Sequence, residues 1–313
     1  MALQARTLSG KPAARPAPAP AKPTLLFGIG APKSGTTWLY EYLRRHPECY
    51  LRGHKELHYF DSIERNAIEA RARQLAGWIA EREALFGTVP PDERRLRLAE
   101  IMDMRDFLSV LGTCRRDPAA YFRYLLAGKG PQKLVADITP NYGLLSAGML
   151  RRMAASSGST RFIYLMRDPV ARLWSQLRMA AEQTLPEGGD FLAHVGRMLE
   201  ELLDGGHDAI RRHSDYAATI GRLEEAVPAE RRLILFFEDL TTREGVRRLC
   251  RFLGIRPVAA GYAERVLEGR EAEATPGQRA AMRRLLEPQY AFAAERFPQV
   301  PAAWRAEMAE GFA

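Results

Sequence analysis

Short apolar runs alternate along the chain with longer stretches in which apolar residues recur at helical spacing. Four runs are short and almost continuously apolar: TLLFGIG (24–30), LVADI (134–138), RFIYLM (161–166) and RLILFF (232–237). Runs of this length are typical of strands buried on both faces of a parallel sheet. Because helical patterns separate them, we expect an α/β protein whose helices cover both faces of the sheet.

The helical stretches carry their own start and stop signals. After the first strand, apolar and aromatic residues recur at helical spacing from Trp38 to Leu43, and Pro47 ends the pattern. After the third strand, Asp168 can cap a helix whose first position Pro169 occupies. The last two stretches of this kind predict helices over 243–253 and 276–295.

Two segments stand apart from this alternation. Residues 62–128 are mostly helical and charged, and we expect a helical insert that is either a cap over a binding site or an elaboration without a special role. Residues 1–23 are rich in Ala and Pro and lack a continuous apolar segment, which predicts a disordered tail rather than a signal peptide. The remaining residues, 24–313, then form a single domain.

The composition of the chain indicates the charge of its ligand or partner but not its chemical class. The net charge of +8 and the pI of about 9.6 favour an anionic ligand or partner, which leaves nucleic acid, phospholipid, nucleotide and acidic polysaccharide open. Most of the positive charge is arginine. Beyond the tail only four residues are lysine, namely Lys33, Lys55, Lys129 and Lys133. A lysine in a glycine-rich loop, as Lys33 is, therefore stands out from the surface charge.

The cysteines and the hydropathy indicate the compartment. The three cysteines, Cys49, Cys114 and Cys250, have neither metal-ligand nor disulfide spacing, so we expect small buried thiols in a reducing compartment, although a catalytic cysteine stays open. No run approaches the roughly 18–20 apolar residues of a membrane span. These features predict a soluble, cytoplasmic protein.

The loop GIGAPKSGTTW (28–38) is close to a phosphate-binding loop of the form G-x-x-x-x-G-K-[ST]. Gly30, Gly35 and Thr37 fit that form, but Thr36 stands where a triphosphate site needs lysine. Backbone N–H groups at a helix N-terminus still bind phosphate, and Lys33 adds a charge at the loop's start. The substitution argues against a γ-phosphate and Mg²⁺; taken alone, the loop could also be a structural turn.

Two further segments carry candidate chemistry. In HKELHYFD (54–61), Glu56 and His58 would point to one side of an extended chain and form an acid–base site, unless they are ordinary surface residues. In LMRDPVARLWSQ (165–176), Arg167 ends a strand, and Arg172 and Ser175 share the helix face opposite the apolar one. An arginine and a hydroxyl converging there would hold a second phosphate, whereas Arg-Asp-Pro is also a common helix start.

Taken together and in this order, these segments resemble the sulfotransferases that use 3′-phosphoadenosine-5′-phosphosulfate (PAPS). APKSGTTWL looks like their 5′-phosphosulfate loop, and RDPVARLWSQ looks like their 3′-phosphate motif. FFEDL followed by a helix ending in FLGI is a familiar later element. The resemblance covers about residues 24–300 and implies a P-loop NTPase-like three-layer sandwich, PAPS as donor with its bisphosphate product PAP, no metal and no nucleic-acid partner.

KELHYFD is similar to the E-x-H-F-F-D segment of the glucosaminyl 3-O-sulfotransferases, in the heparan sulfate branch and its bacterial relatives. The resemblance makes Glu56 the general base and adds His58, Asp61 and Lys33 to the catalytic site. It implies a saccharide or glycoconjugate acceptor, with the insert 62–128 as a cap on the acceptor side. The donor contacts that it implies are Lys33, Ser34, Gly35, Thr36, Thr37, Trp38, Arg167, Ser175 and Arg270.

The chain departs from that branch at two places. Ile138 stands where those enzymes usually carry a lysine, and Gly269 with Arg270 only loosely replaces their basic loop. The expected function is transfer of a sulfuryl group from PAPS to a hydroxyl or amine, most simply of a saccharide. The alternatives are sulfation of a lipid or small metabolite, a P-loop kinase or NTPase using Asp137 for magnesium, and a non-catalytic polyanion binder.

Overall fold

The computed structural model describes residues 22–114, 117, 119–259 and 270–312. The predicted tail, apart from its last two residues, and Gly269 of the basic-loop substitute lie outside these ranges. The strands in the described ranges are β1 Thr24–Gly28, β2 Cys49–Tyr50, β3 Leu134–Ile138, β4 Thr160–Met166 and β5 Arg232–Phe236. The α-helices there are α1 Thr36–Arg45, α2 Tyr59–Glu64, α3 Ile68–Ala84, α4 Arg94–Thr113, α5 Ala120–Leu126, α6 Ala147–Ala154, α7 Pro169–Thr184, α8 Phe191–Leu203, α9 Asp208–Ser214, α10 Tyr216–Ala226, α11 Phe237–Leu240, α12 Arg243–Leu253, α13 Pro276–Arg296 and α14 Ala302–Ala309.

The strands form one parallel sheet in the order β2-β3-β1-β4-β5. β1 lies at its centre, paired with β3 on one side and β4 on the other. The chain therefore changes winding direction beside β1, and ligands of such sheets bind in the crevice at the carboxyl ends of the strands next to that point. The glycine loop that follows β1 opens at this place.

Helices cover both faces of the sheet, so its strands are buried on both sides. Leu25 and Phe27 of β1 belong to one apolar core, whereas Leu26 belongs to the other, with residues of α1 and α12. Burial on both faces explains why the strands read as continuous apolar runs rather than as alternating patterns. The predicted three-layer α/β architecture is confirmed.

The four strands predicted from the apolar runs are all present, and the short β2 was missed because two residues carry no pattern. The predicted helices correspond to α1, α7, α12 and α13. Asp168 caps α7 as expected, since its carboxylate accepts a hydrogen bond from Ala171 N at 2.8 Å, and Pro169 takes the first helical position. The insert 62–128 is helical through most of its length, as α3, α4 and α5.

The three cysteines are buried thiols that form no disulfide, as predicted. Within the described ranges, no helix combines the length and the apolar character needed to cross a membrane.

The C-terminal helices complete the core beside β4 and β5. The Trp304 side chain of α14 is fully buried against the rings of Tyr216, Phe236 and Tyr290. Its indole Nε1 donates a hydrogen bond to Glu238 Oε1 at 3.2 Å. The C-terminal end is thus part of the folded domain rather than an appendage.

Replacing Trp304 by alanine should destabilise the whole domain, because it leaves a cavity in this aromatic cluster and removes a buried hydrogen bond. We expect the free energy of unfolding, measured in urea, to fall by about 3–5 kcal/mol. Leu96→Ala, at a side chain that is 64% exposed, is the matched control and should change it by less than about 0.5 kcal/mol. Equal small effects of both changes would contradict the role given to α14.

Candidate active site

The loop after β1 continues the pairing with β4 before it turns. Ile29 N and Ala31 N donate to carbonyl oxygens of β4, at 2.9 and 2.7 Å. Lys33 and Gly35 then adopt left-handed backbone angles, with φ of 65° and 88°, and Gly35 leads directly into α1. A Cβ atom at Gly35 would lie 2.3 Å from the Phe237 ring. The position therefore requires glycine, and the turn leaves the first N–H groups of α1 free for an anion.

Several cations converge on this loop. The Lys33 ammonium lies 3.7 Å from Met179 Sδ of α7, and the Arg167 guanidinium donates to the Lys33 carbonyl at 3.2 Å. The pKa of Lys33 is lowered, first by burial and then by the charges of Arg178, Arg167 and Lys55. A site that holds so much positive charge together suits a ligand with more than one negative charge.

Residues at the end of β4 and on α7 form the second half of the candidate donor site. Arg167 follows β4, and its guanidinium lies 5.6 Å from the centroid of the Phe237 ring. Burial lowers the pKa of Arg167. Ser175 lies on α7 about 9 Å along the axis from its first residue and is almost fully buried.

Arg172 does not belong to this half of the site. Its side chain is fully buried and donates hydrogen bonds to Gln176 and Ser214 inside the domain. The predicted helix face that carries Arg172 and Ser175, opposite Val170 and Leu177, is buried as well, because α7 packs against α8, α9 and α13.

The other predicted donor contacts lie at or near the loop. Ser34 and Thr36 are buried in the turn itself, and Trp38 stacks on Tyr42 with 5.3 Å between ring centroids. The guanidinium of Arg270 lies over Phe191, 4.9 Å from its ring centroid. The carbonyl oxygen of Arg270 accepts a hydrogen bond from Arg178 Nη1 at 3.0 Å, which ties this segment to α7.

The segment before α2 brings the predicted catalytic residues together. Glu56 Oε2 lies 3.9 Å from His58 Nε2, and His58 Nδ1 lies 2.8 Å from Asp61 Oδ2. An acid–base pair formed by alternation would need an extended backbone, but Glu56 and His58 have φ of 60° and 55°, and the chain turns into α2. The two side chains meet because of this turn rather than through alternation along a strand.

Asp61 holds the imidazole ring of His58 on the side away from Glu56. Its carboxylate is buried and also accepts a hydrogen bond from the Asn141 side chain. Burial acts to raise the pKa of Asp61, but the hydrogen bond and charge of His58, with the bond from Asn141, outweigh it and lower the pKa. Asp61 therefore stays ionised and fixes the orientation of the imidazole ring.

The insert holds this segment in place. Arg71 of α3 donates to the Glu56 carbonyl at 2.7 Å, and Asp103 of α4 accepts from His54 N at 2.6 Å. Burial, followed by the charge of Arg71, lowers the pKa of His54 to about 3, so His54 is neutral at physiological pH. The insert thus supports the backbone on either side of Lys55; its proposed role as a cap stays a prediction.

Asp137 is engaged inside the protein. Its buried carboxylate accepts hydrogen bonds from the hydroxyls of Tyr121, Thr139 and Tyr142, at 2.6, 2.6 and 2.8 Å. Burial raises the pKa of Asp137. Tyr142 in turn accepts from Tyr59 N at 3.0 Å, which ties the start of α2 to β3. These contacts use the carboxylate to hold α2, which removes the feature that favoured a magnesium-dependent kinase.

Sequence reasoning missed two residues of the cleft. Lys55 Nζ donates to Thr37 Oγ1 at 2.8 Å and to Glu56 Oε1 at 2.9 Å. Arg178 lies beside Lys33, and its Nε is buried without a hydrogen-bond partner. The scarcity of lysine was a signal for Lys55, and the position of Arg178, one helical turn after Ser175, was a signal for the arginine.

The cleft fits a ligand with several anionic groups. The turn at Gly35 leaves the first N–H groups of α1 without partners inside the helix, and the unpartnered Nε of Arg178 offers a further donor beside Lys33. Among the residues that the structure describes, no group of three or more His, Cys, Asp or Glu side chains is placed to hold a metal ion.

Known proteins resemble this chain in fold and in part of its sequence. A solved sulfotransferase from Alicyclobacillus acidocaldarius superposes with a TM-score of 0.59 at 22% identity, over 91% of this chain and 99% of that one. The sulfotransferase domain of the Synechococcus PCC 7002 olefin synthase matches over 92% of this chain and 93% of that chain, with a TM-score of 0.44 at 20% identity.

A curated relative matches over a short segment. It is the membrane-associated sulfotransferase kil1 of Dictyostelium discoideum, which is 39% identical over 64 residues, or 20% of this chain. The match spans only 14% of that protein's length.

The family is identified by its sequence model. The model described as the sulfotransferase family matches residues 23–259, which include the glycine loop, the Glu56 segment and the Arg167 motif. With the parallel sheet and the cationic cleft at its carboxyl edge, this match means that the chain belongs to the sulfotransferase family and is a sulfotransferase.

Proposed function

We propose that the chain transfers a sulfuryl group from PAPS to a hydroxyl or amine of an acceptor, foremost a saccharide, with Glu56 as the general base. Sulfotransferases of this family generally use PAPS. The observation that carries the proposal is the position of the Glu56 carboxylate, which is joined through Lys55 to Thr37 of the glycine loop. A base and a phosphate-binding turn are thus adjacent.

The donor contacts follow from charge and backbone geometry. When bound, PAPS supplies the sulfuryl group and an anionic 5′-phosphate leaving group. Lys33, the backbone amide at Gly35, and the hydroxyls of Thr36 and Thr37 would stabilise the charge that develops on that phosphate, whereas Ser34 N already donates to the Ala31 carbonyl at 3.2 Å. Preorganised donors of this kind are worth most in a site that excludes water.

A second set of residues would recognise the 3′-phosphate. Arg167 and Ser175 fit this role through charge and position, and Arg178 adds a third donor beside Lys33. Arg270 and Trp38 would complete the nucleotide contacts. A 3′-phosphate distinguishes PAPS from ATP, so these residues would account for the choice of donor.

Glu56 would take the acceptor proton. Its side chain is 40% exposed, so an acceptor hydroxyl can reach it. In the proposed step the acceptor proton passes to the Glu56 carboxylate, and the acceptor oxygen or nitrogen forms a bond to sulfur. The bond between sulfur and the 5′-phosphate oxygen breaks at the same time, and its electron pair stays on that oxygen. His58, held by Asp61, lies beside Glu56 and would orient the acceptor.

The saccharide acceptor is supported by the similarity of KELHYFD to the glucosaminyl 3-O-sulfotransferases. In this chain the three residues of that segment lie close together, with 3.9 Å between Glu56 Oε2 and His58 Nε2 and 2.8 Å between His58 Nδ1 and Asp61 Oδ2. Ile138 stands where the heparan sulfate branch carries a lysine, and its side chain is buried in β3. The apolar side chain supplies no polar contact at this strand end, so the identity of the acceptor is the first point to test.

The donor assignment predicts a specific order of nucleotide affinities. In calorimetry, PAP should bind without Mg²⁺ and AMP should bind roughly 10- to 100-fold more weakly, because it lacks the contacts of the 3′-phosphate to charged groups. ATP should gain nothing from Mg²⁺. Tight magnesium-dependent binding of ATP, with no response to PAP, would rule out the proposed donor site.

Glu56→Gln should separate binding from chemistry. The amide keeps the shape of the side chain but cannot accept the acceptor's proton, so we expect kcat to fall roughly 10²–10⁴-fold while the dissociation constant of PAP stays unchanged. Glu41→Gln is the matched control, since Glu41 pairs with Arg44 on the outer face of α1. Unchanged turnover in Glu56→Gln would remove this residue as the base.

The acceptor class can be read from transfer of ³⁵S-labelled PAPS to a panel. The panel contains a glucosaminyl–glucuronyl oligosaccharide, a long-chain alcohol and a phenol, with the Glu56→Gln variant as blank. We expect the label in the oligosaccharide. Label in the alcohol or the phenol alone would replace the saccharide by a lipid or a small metabolite and leave the sulfotransferase reaction standing.

A further inference from the structure

Lys55 joins the glycine loop to the proposed base through a single ammonium group. Its Nζ donates to Thr37 Oγ1 at 2.8 Å and to Glu56 Oε1 at 2.9 Å. Thr37 lies in the first turn of α1, on the donor side of the cleft, whereas Glu56 lies on the acceptor side. The ammonium therefore spans the space between the two halves of the site.

The backbone around Lys55 is fixed on both sides. The preceding residue, His54, donates its N–H to Asp103 at 2.6 Å, and the carbonyl of the following residue, Glu56, accepts from Arg71 at 2.7 Å. The Lys55 side chain itself is only 22% exposed. A lysine held in this way loses little further conformational entropy when it bonds, unlike a lysine in an ordinary surface ion pair.

The contacts of Glu56 make its orientation depend on Lys55. One carboxylate oxygen bonds to the ammonium, and the other lies 3.9 Å from His58 Nε2, beyond hydrogen-bonding distance. The side chain is 40% exposed, so without the ammonium it would rotate among several rotamers in water. Among the contacts that the structure gives to this carboxylate, the bond from Lys55 is the short one.

We propose that Lys55 is a positioning residue, which aims the Glu56 carboxylate at the site where the glycine loop holds the donor. This inference rests on the proposed function and deepens it. Lys55 acts through Glu56, so it serves proton removal rather than donor affinity. Lys33, whose carbonyl and side chain face Arg167 and α7, keeps the separate task of stabilising the leaving phosphate.

A double-mutant cycle tests this dependence. The variants are Lys55→Met, which keeps the aliphatic stem without the ammonium, Glu56→Gln, and the two combined. The rate measured is the release of PAP from PAPS, with the best acceptor of the panel or with water alone where no acceptor raises the rate. Lys55→Met should lower kcat about 10- to 100-fold, the scale expected when a reacting group is misplaced by about 1 Å.

The combined variant should be no slower than Glu56→Gln alone, because Lys55 has nothing left to position once the base is lost. Lys55→Arg, which keeps the charge and the donors, should recover most of the rate lost in Lys55→Met. Lys129→Met, at a partly exposed lysine whose ammonium donates to the Gly130 carbonyl at 2.9 Å, is the matched control and should keep the wild-type rate.

The outcomes separate the two proposals. If the losses of Lys55→Met and Glu56→Gln multiply in the combined variant, or if Lys55→Met matches the control, Lys55 is not the residue that positions Glu56. A fall in PAP affinity with unchanged kcat would likewise overturn the inference, since it would make Lys55 a donor contact. A wild-type protein that neither binds PAP nor releases it from PAPS contradicts the proposed function itself.

Discussion

The concentration of positive charge at the carboxyl edge of the sheet is the constraint on which the cleft depends. Four cations lie close enough there to repel one another, namely Lys33, Lys55, Arg167 and Arg178. The lowered pKa of Lys33, caused by burial and by the other three charges, shows that its charged form is destabilised. The aromatic ring of Phe237 makes the arrangement possible, because it fills the space beside Gly35 and lies against the Arg167 guanidinium. An anionic ligand would offset the repulsion among these groups. Affinity for such a ligand is thus a consequence of how the strand ends and α7 are packed.

The segment that carries Glu56 and His58 is held by polar groups that come from elsewhere in the fold. Asp137 of β3 accepts from Tyr142, and Tyr142 accepts from Tyr59 N at the start of α2. From the opposite side, Arg71 and Asp103 of the insert bond to the backbone that flanks Lys55. Each contact is buried or partly buried, where a lost partner leaves a costly unsatisfied group. These contacts therefore fix the segment in one conformation. Two of its residues have left-handed backbone angles, which a chain without such contacts would rarely adopt.

The part of the site that could be predicted from sequence is the part encoded by local pattern. The strands, the glycine turn and the Asp168 cap follow from periodicity and from residues with narrow conformational preferences. Three features could not be predicted, because neighbours distant in sequence decide them. The left-handed turn at Glu56 and His58 is fixed by the insert and by β3. The burial of Arg172 depends on α9, which carried no predictive signal, and the position of Lys55 depends on where Thr37 of α1 comes to lie.

The C-terminal helices also hold part of the cleft in place, although they lie beyond residue 259, where the match to the family model ends. Glu238, which follows β5, accepts hydrogen bonds from Asp168 N at 3.0 Å and from Trp304 Nε1 at 3.2 Å. Asp168, which caps α7, also accepts from the Tyr290 hydroxyl at 2.7 Å, and burial raises the pKa of Asp168 to about 6. The turn that carries Arg167 is therefore fastened to α13 and α14 through two carboxylates, the buried Asp168 and the partly buried Glu238. Because Arg167 is one residue from Asp168, this attachment also holds the backbone from which its guanidinium reaches the Lys33 carbonyl. The C-terminal helices α13 and α14 thus support the turn that carries Arg167.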